Sequence, residues 1–597
     1  MKDATLLEVS YEVANKVGGI YTVLVSKMSY ALENFATYYA IGPYYAGQAA
    51  KEFTKEKPPA NLAAVFAKLE GRGVKCVYGR WKIEGSPKAI LVDPESLRSG
   101  ADGIKLKLWE EYKIDSWKAD EWFNEPVVWA KAVGMLIEEM ENSGLFVSGA
   151  IAHFHEWLTG TALLHLKSAK SKIPTVFTTH STVLGRAIAE TGREDLYEII
   201  NKGKVKPDVK AYEYSAQSKH LLEKAAAVNA DVFTTVSETT AKECEFVLGR
   251  RPDAVLANGL DMRKFPSPEN VEKMRKACAD RVKTFLLGYF LPSYEIDADN
   301  SLVCFISGRH EFRNKGIDIF IDALGRLNAR MKKDGEKKTV FAFIWVPTQT
   351  KGKKPTVVEH LAVMDDAEKL IDMEAEKIED EVLRDFIKGK KPKDSVKLDH
   401  AFLKRLSGMW ETLKKAGGEN PPLSPFNVGE DNIIVKSLEK NGLLNRKADR
   451  VKVIYYPDYV SESDGLLGLK YYSAMAGCEM GIFPSYYESW GYTPLESAAL
   501  GLHAVTTDLS GFGKFIMPFL KPGEKSIMVI GRDGKKDADA AKELEELMHD
   551  ICAMTPEERL SHRMRAKELS GLADWSQLFD NYMKAYEMAL RISQPSA

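Results

Sequence analysis

No apolar run in this 597-residue chain is long enough to span a bilayer, which removes the membrane-spanning helical classes. The start, Met1-Lys2-Asp3-Ala4, passes directly into Leu6-Leu7-Glu8-Val9 and has no apolar signal region. Cysteine is scarce: the six, at 76, 244, 278, 304, 478 and 552, are scattered and form no Cys-x-x-Cys pair. That excludes a disulfide framework and a zinc knuckle, and predicts small buried thiols in a reducing cytoplasm. Net charge is also missing, because 83 Lys and Arg offset 85 Asp and Glu to leave −2. No nucleic-acid or membrane footprint stands out of that balance. There is no short-period repeat and no low-complexity tract. What remains, 45% apolar and 28% charged residues, is an ordinary soluble globular composition with length for about two to four domains.

The apolar residues are arranged as strands that alternate with helical patterns. Ala89–Asp93, Gly149–His153, Thr175–Thr179 and Asp231–Val236 are short, nearly continuous apolar runs, as expected of strands covered on both faces of a parallel sheet. A second series begins at Leu302–Ile306 and continues through Val340–Trp345, Val451–Tyr455, Met480–Phe483 and Ala504–Thr507. The prediction is an α/β protein of two doubly wound units joined near 285–300, with ligands between them beyond the carboxyl ends of the strands.

Residues 351–450 interrupt the alternation. After Lys351-Gly-Lys-Lys-Pro355 the spacing predicts a long charged helix with an apolar stripe of Met364, Ile371, Ala375, Ile378, Val382 and Phe386, then a second helix near Phe402–Leu413. Such a stripe fits either a neighbouring helix or a subunit contact.

Polar clusters fall where the strands end. Asn15-Lys16-Val17-Gly18-Gly19 follows the first strand; its glycines allow close backbone approach, although a simple turn explains them as well. His153-Phe-His155-Glu156-Trp157 puts two histidines on one side of an extended segment. A zinc site would need two more ligands, and none is evident at suitable spacing. His155 therefore faces a substrate or is a satisfied core histidine. His180 with Arg186, and Arg309 with Lys315, add basic groups that either converge on a dianion or are solvated loop charges.

The densest block is Pro484-Ser-Tyr-Tyr-Glu488-Ser-Trp490-Gly491-Tyr492-Thr493-Pro494-Leu495-Glu496. Thr493-Pro-Leu-Glu496 predicts a capping box with proline at the first helical position, and so a helix start suited to phosphate. Eight helical residues would separate Glu488 from Glu496 by about 12 Å. Retaining glycosidases hold their carboxyls about 5 Å apart. Glu488 lies before the proline, in the loop, so the two glutamates serve different parts of one ligand.

Together with Tyr11–Thr22, Phe177–His180, Thr235–Glu238, Ala257–Leu260, Pro421-Pro422 and Asp449–Ile454, these segments closely resemble glycogen synthases of the animal and fungal type. Those are retaining glycosyltransferases of family 3 and of the two-Rossmann GT-B fold. The resemblance implies an N-terminal unit at 1–285, a nucleotide-sugar unit at 286–575 with a helical insertion at 351–450, and a helix at 576–597 that returns to the first unit. It implies glucose transfer from UDP-glucose to the 4-hydroxyl of a glycogen or maltooligosaccharide end, without metal or other cofactor. The carried-over roles are Arg186, Arg309 and Lys315 on the pyrophosphate with the Gly491–Thr493 amides, Tyr471 on the base and Glu496 on the ribose. Glu488, His180 and Lys16 line the transferred glucose, with Gly18, Gly19, His155, Glu156, Trp490 and Tyr492 around the donor. The alternatives on the same fold are a transferase with a small acceptor, of the sucrose or trehalose type, and an inactive glucan-binding scaffold.

Assembly as a homotetramer through 351–450 is a further implication. Ser489 and His310 depart from the family's usual proline and aromatic residue. The helix at Glu557–Lys567 has acidic residues where the eukaryotic enzymes carry dense arginine, and regulatory tails like theirs are not expected. The expectation is weak or absent activation by glucose-6-phosphate and no phosphorylation control.

Overall fold

The computed structural model describes residues 3–389 and 398–593; parts of the expected insertion (390–397) and of the expected returning segment (594–597) lie outside the described residues. Nine strands form the first sheet: β1 Thr5–Val9, β2 Thr37–Pro43, β3 Phe53–Lys55, β4 Lys75–Trp81, β5 Lys88–Asp93, β6 Ala150–His155, β7 Thr175–Thr179, β8 Val232–Thr235 and β9 Ala254–Val255. Their order is β3-β4-β5-β2-β1-β6-β7-β8-β9, and β4 alone runs against the others. The second sheet is wholly parallel: β10 Ser301–Ser307, β11 Thr339–Trp345, β12 Val451–Tyr456, β13 Met480–Ile482, β14 His503–Thr507 and β15 Ile527–Ile530, in the order β12-β11-β10-β13-β14-β15. Every predicted strand is present within a residue or two.

Strand order reverses at β1 in one sheet and at β10 in the other, opening a crevice at the carboxyl end of each. Successive residues of β1 bury on opposite faces, Leu6 toward one core and Leu7 and Val9 toward the other. Tyr486, Tyr487 and Leu509 of the second unit belong to the first unit's core. Helix Trp575–Ser593 packs on helix Gly19–Asn34 and on β6–β9, with the Trp575 indole donating to Ser26 Oγ at 2.8 Å. Helix Pro268–Phe290 packs against helices Pro355–Ile387 and Tyr471–Ala476 of the second unit, so residue 285 falls inside a helix.

One local expectation is narrowed and another is corrected. Helix Pro355–Ile387 buries Val357, Leu361, Ala367 and Leu370, whereas Ile371 is 47% and Phe386 68% exposed. The face it uses is set by helices Pro268–Phe290 and His400–Ala416 beside it, which periodicity alone does not locate. The capping box at 493–496 does not form. The helix opens two residues earlier, at Tyr492, with Gly491 at φ 105° as its N-cap and no side chain bonded to the cap. Pro494 is therefore its third residue, and the Glu496 carboxylate accepts from Tyr472 Oη at 2.7 Å instead.

Candidate active site

Loops after β1, β6, β7, β10 and β13 carry the predicted residues. After β1 the backbone turns through Lys16, Gly18 and Gly19, all exposed, into helix Gly19–Asn34. Lys16 lies over the Tyr21 ring at 5.4 Å. Glu12 accepts from the Tyr21 amide at 2.8 Å, so a carboxylate occupies this helix start. A Cβ at position 18 would lie 2.5 Å from Glu12 Oε1, which is why glycine stands there. Burial raises the Glu12 carboxyl, while amide hydrogen bonds and the field of Arg309 from the other unit oppose the rise.

At the end of β6, His155 joins a buried chain. Its Nε2 is 2.9 Å from Glu8 Oε1 and its Nδ1 is 3.0 Å from His180 Nε2. Glu8 also pairs with Lys27 and accepts from Tyr38 at 2.6 Å. Burial would raise the Glu8 carboxyl, but Lys27 and the histidines hold it well below the usual carboxylate range. The same burial lowers His155 and His180, so both rings are neutral. An ionised Glu8 can only accept, so His155 donates from Nε2 and accepts at Nδ1 from His180 Nε2–H, leaving His180 Nδ1 as an acceptor. Glu8, His153 and His155 are spaced as a metal set, yet the Lys27 ammonium already occupies the carboxylate. His153 itself turns to Tyr586 and Thr178 at 2.9 and 2.7 Å.

Glu156 follows with φ at 67°, a left-handed conformation that costs a non-glycine residue about 1 kcal/mol or more. The turn aims its carboxylate at the His180 and Ser181 amides, 2.8 and 3.1 Å away, and burial pushes the group up to about 7. Arg186 lies one helical turn beyond and donates to Ser181 Oγ at 2.9 Å. Burial lowers the Arg186 guanidinium, but Tyr487, Glu156, Glu311 and Glu488 together raise it; all but Glu156 come from the second unit.

Across the crevice, the loop after β10 bears Arg309, paired with Glu311 at 3.0 Å, and Lys315, paired with Glu488. Gly316 holds φ 68°, and a Cβ there would meet the Pro484 carbonyl oxygen at 2.0 Å. That close approach brings the Lys315 and Glu488 loops together. Glu488 sits before the helix, as predicted, with its carbonyl accepting from the Gly511 amide at 3.1 Å. Tyr471 donates to or accepts from Ser307 Oγ at 2.6 Å, beside the Trp345 ring. Burial pushes Glu496 up to about 7, and the Tyr472 hydrogen bond lowers it in part.

The structure thus gathers Glu156, His180 and Arg186 on one side, with His155 buried and both its ring nitrogens bonded, and Arg309, Lys315, Glu488, Tyr471, Gly491, Thr493 and Glu496 on the other. Two predicted donor residues stand apart from them. Trp490 is buried against Phe512 and Phe515, and the Tyr492 hydroxyl reaches the Gly259 carbonyl of the first unit at 3.3 Å. Glu8 was missed, although a charge inside the apolar run Leu6-Leu7-Glu8-Val9 is itself a signal. Glu12, Glu223, Glu243 and Tyr487 carry no comparable signal, because their burial comes from contacts distant in the chain.

A family model described as glycogen synthase matches residues 8–597. The chain belongs to the glycogen synthase family. Glycogen [starch] synthase isoform 2 of Saccharomyces cerevisiae is 34% identical over 623 residues, covering 100% of this chain and 87% of that protein. The liver glycogen [starch] synthase of Mus musculus is 33% identical over 607 residues, covering 100% of this chain and 84% of its own length. Among solved structures, an α,α-trehalose 6-phosphate synthase from Burkholderia multivorans aligns with TM-score 0.50 at 10% identity, over 100% of this chain and 99% of that one. That likeness concerns the fold, the GT-B arrangement of two facing Rossmann-like units. As a glycogen synthase family member the chain is a hexosyltransferase, and the small-acceptor and scaffold alternatives are not favoured. No helix among the described residues is long and apolar enough to cross a membrane.

Proposed function

We propose that the chain transfers glucose from UDP-glucose, with retention of anomeric configuration, to the non-reducing 4-hydroxyl of an α-1,4-glucan. The observation that carries this reading is the approach of Arg186 on one unit to Glu311 and Glu488 on the other, beside Arg309 and Lys315. Three cations facing one space suit a departing nucleoside diphosphate, whose charge they neutralise as the glycosidic bond breaks. The uncapped amides at Gly491–Thr493 extend the same cradle. Tyr471 stacks on the base and Glu496 accepts from ribose hydroxyls. His180 and Glu488 flank the sugar; the departing phosphate takes the acceptor's proton on the face of attack. No metal is required in this scheme, since the cations supply the charge and the Glu8 carboxylate of the metal-like set is held by Lys27.

The proposal extends to regulation, assembly and compartment. Arg559, Arg563 and Arg565 of helix Pro556–Ser570 are tied to Glu479, Glu272 and Glu524 at 3.0, 3.1 and 3.1 Å. Arginines already paired offer little to a sugar phosphate, so the enzyme works without glucose-6-phosphate. The exposed Ile371, Phe386 and Ile387 on helix Pro355–Ile387, with Trp410 on the next helix, suit a homotetramer contact. The cysteines described are free, which suits the cytoplasm.

The test is glucose incorporation into glycogen and maltooligosaccharides from UDP-glucose and from ADP-glucose, each with and without glucose-6-phosphate. Transfer from UDP-glucose alone is expected. Failure to lengthen either acceptor from either donor would refute the reading.

A further inference from the structure

Four consecutive backbone amides of the loop carrying His180 and Arg186 are held by three buried carboxyls of the first unit. Glu156 Oε1 accepts from His180 and Ser181 at 2.8 and 3.1 Å, Glu243 Oε1 from Thr182 at 3.2 Å, and Glu223 Oε2 from Val183 at 2.9 Å. Val183 opens helix Val183–Thr191, on which Arg186 sits, and Thr182 is its N-cap, so the carboxyls fix both the end of the loop and the start of that helix. Glu243 Oε1 accepts two further hydrogen bonds, from Thr182 Oγ1 at 2.5 Å and from Tyr487 Oη at 2.8 Å. Tyr487 belongs to the second unit and immediately precedes Glu488.

The Tyr487 backbone is tied to the loop that bears Lys315 in its own unit. The Asn314 carbonyl, next to Lys315, accepts from the amides of Tyr486 and Tyr487 at 3.0 and 3.2 Å. Tyr486 docks beside it, accepting from the Leu196 amide at 2.9 Å while Arg313 lies 4.6 Å over its ring. One phenol therefore ties the Lys315–Glu488 loops to the carboxyl that holds the His180–Arg186 loop. Its hydrogen bond is buried and crosses between the units, where a small displacement would separate the cations.

We propose that Tyr487 and Glu243 are positioning residues that bring the sugar-facing and phosphate-facing halves of the site into register, a role that rests on the transferase reading above. Both side chains are buried, and their polar atoms bond each other and Thr182. Their contact orders groups that meet charge developed during glycosidic cleavage, so its loss weakens the transition state more than the bound ground state.

The test compares wild type, Tyr487→Phe, Glu243→Gln and the double variant, using UDP-glucose and a maltooligosaccharide. Tyr487→Phe should lower kcat by about tenfold while the donor KM stays within about twofold, the pattern of an interaction used in the transition state. The double variant should be no slower than the slower single variant, because both remove one contact. Wild-type kcat in Tyr487→Phe, or losses that multiply, would overturn the proposal; a lowered melting temperature at unchanged kcat would also do so. Amide hydrogen exchange gives a readout independent of catalysis and of the Glu243 variant's folding. In Tyr487→Phe, peptides spanning residues 180–186 should exchange at least about fivefold faster, though the substitution lies in the other unit. Unchanged exchange there overturns the coupling, whereas absence of transfer by wild type counts against the transferase reading alone.

Discussion

Nε2 of His155 lies 2.9 Å from Oε1 of Glu8, and this contact orders the whole donor-side histidine pair. The carboxylate sets the tautomer of His155, which sets that of His180 and leaves Nδ1 of His180 as an acceptor. Lys27 makes the arrangement affordable by balancing a charge that is fully buried.

Removing that balance is therefore costly. Lys27→Met should destabilise the protein by about 3–5 kcal/mol, the range for breaking a buried pair, read as a lowered urea midpoint. EDTA should leave wild-type transfer unchanged, since the ammonium already fills the metal-like position. Strong inhibition by EDTA would contradict the assignment.

The cationic cluster should matter to chemistry more than to folding. Arg186→Ala, Arg309→Ala and Lys315→Ala should each lower kcat by about 10²–10³-fold, as for loss of one charge-stabilising donor. Arg309 has the most exposed side chain of the three, at 60%, so its variant should keep wild-type thermal stability. Steady-state kinetics beside a melting curve separates the two effects.

Glu496 should impose a pH dependence on donor binding. Burial pushes its carboxyl up to about 7, so it protonates near neutrality and loses acceptor capacity for the ribose as pH falls. The KM for UDP-glucose should rise several-fold between pH 8 and pH 6, with kcat less affected. Glu496→Gln should raise KM at pH 8 and flatten the profile; a profile of unchanged slope would reassign the dependence elsewhere.

Glu243, also pushed up to about 7 by burial, makes a stability prediction of definite sign. A carboxyl raised in the folded state contributes stability below its unfolded value near 4.5 and loses it as pH rises through 7. Wild type should therefore lose ground against Glu243→Gln by on the order of 3 kcal/mol between pH 4.5 and 8. The buried histidines act in the opposite sense below 6.5 but cancel in the difference between the two proteins. Paired urea titrations across that range check it.

Activation by glucose-6-phosphate should stay within about twofold of basal activity, because Arg559, Arg563 and Arg565 are each engaged by a carboxylate. Glu272→Ala and Glu479→Ala, which free two of them, are the variants in which any response should first appear. Strong activation of wild type would overturn this account.

The inner parallel strands of both units were legible from apolar runs, since a strand covered on both faces leaves a local signature. Outer strands such as β3, β4, β9 and β15 were not, and the antiparallel β4 departs from the parallel expectation. Arg186, Arg309, Lys315 and Glu488 were singled out by the family resemblance, since as lone charges they read equally well as solvated loop groups. The stripe on helix Pro355–Ile387 was legible but the face that packs was not: several apolar phases coexist on it, and its neighbours bury another one while Ile371 and Phe386 stay exposed. The expected capping box failed for a similar reason: Gly491 starts the helix early and Tyr472 claims Glu496.

By itself the amino-acid sequence determined the architecture and the composition of the site, because burial and residue chemistry are written locally as apolar runs, glycines and charged loop ends. Tertiary structure alone decided which groups meet. Glu8 reaches His155 from 147 positions away, and Glu243 reaches Tyr487 from 244. Hydrogen bonds act over about 3 Å, a distance that the chain's spacing does not encode until the two sheets are packed.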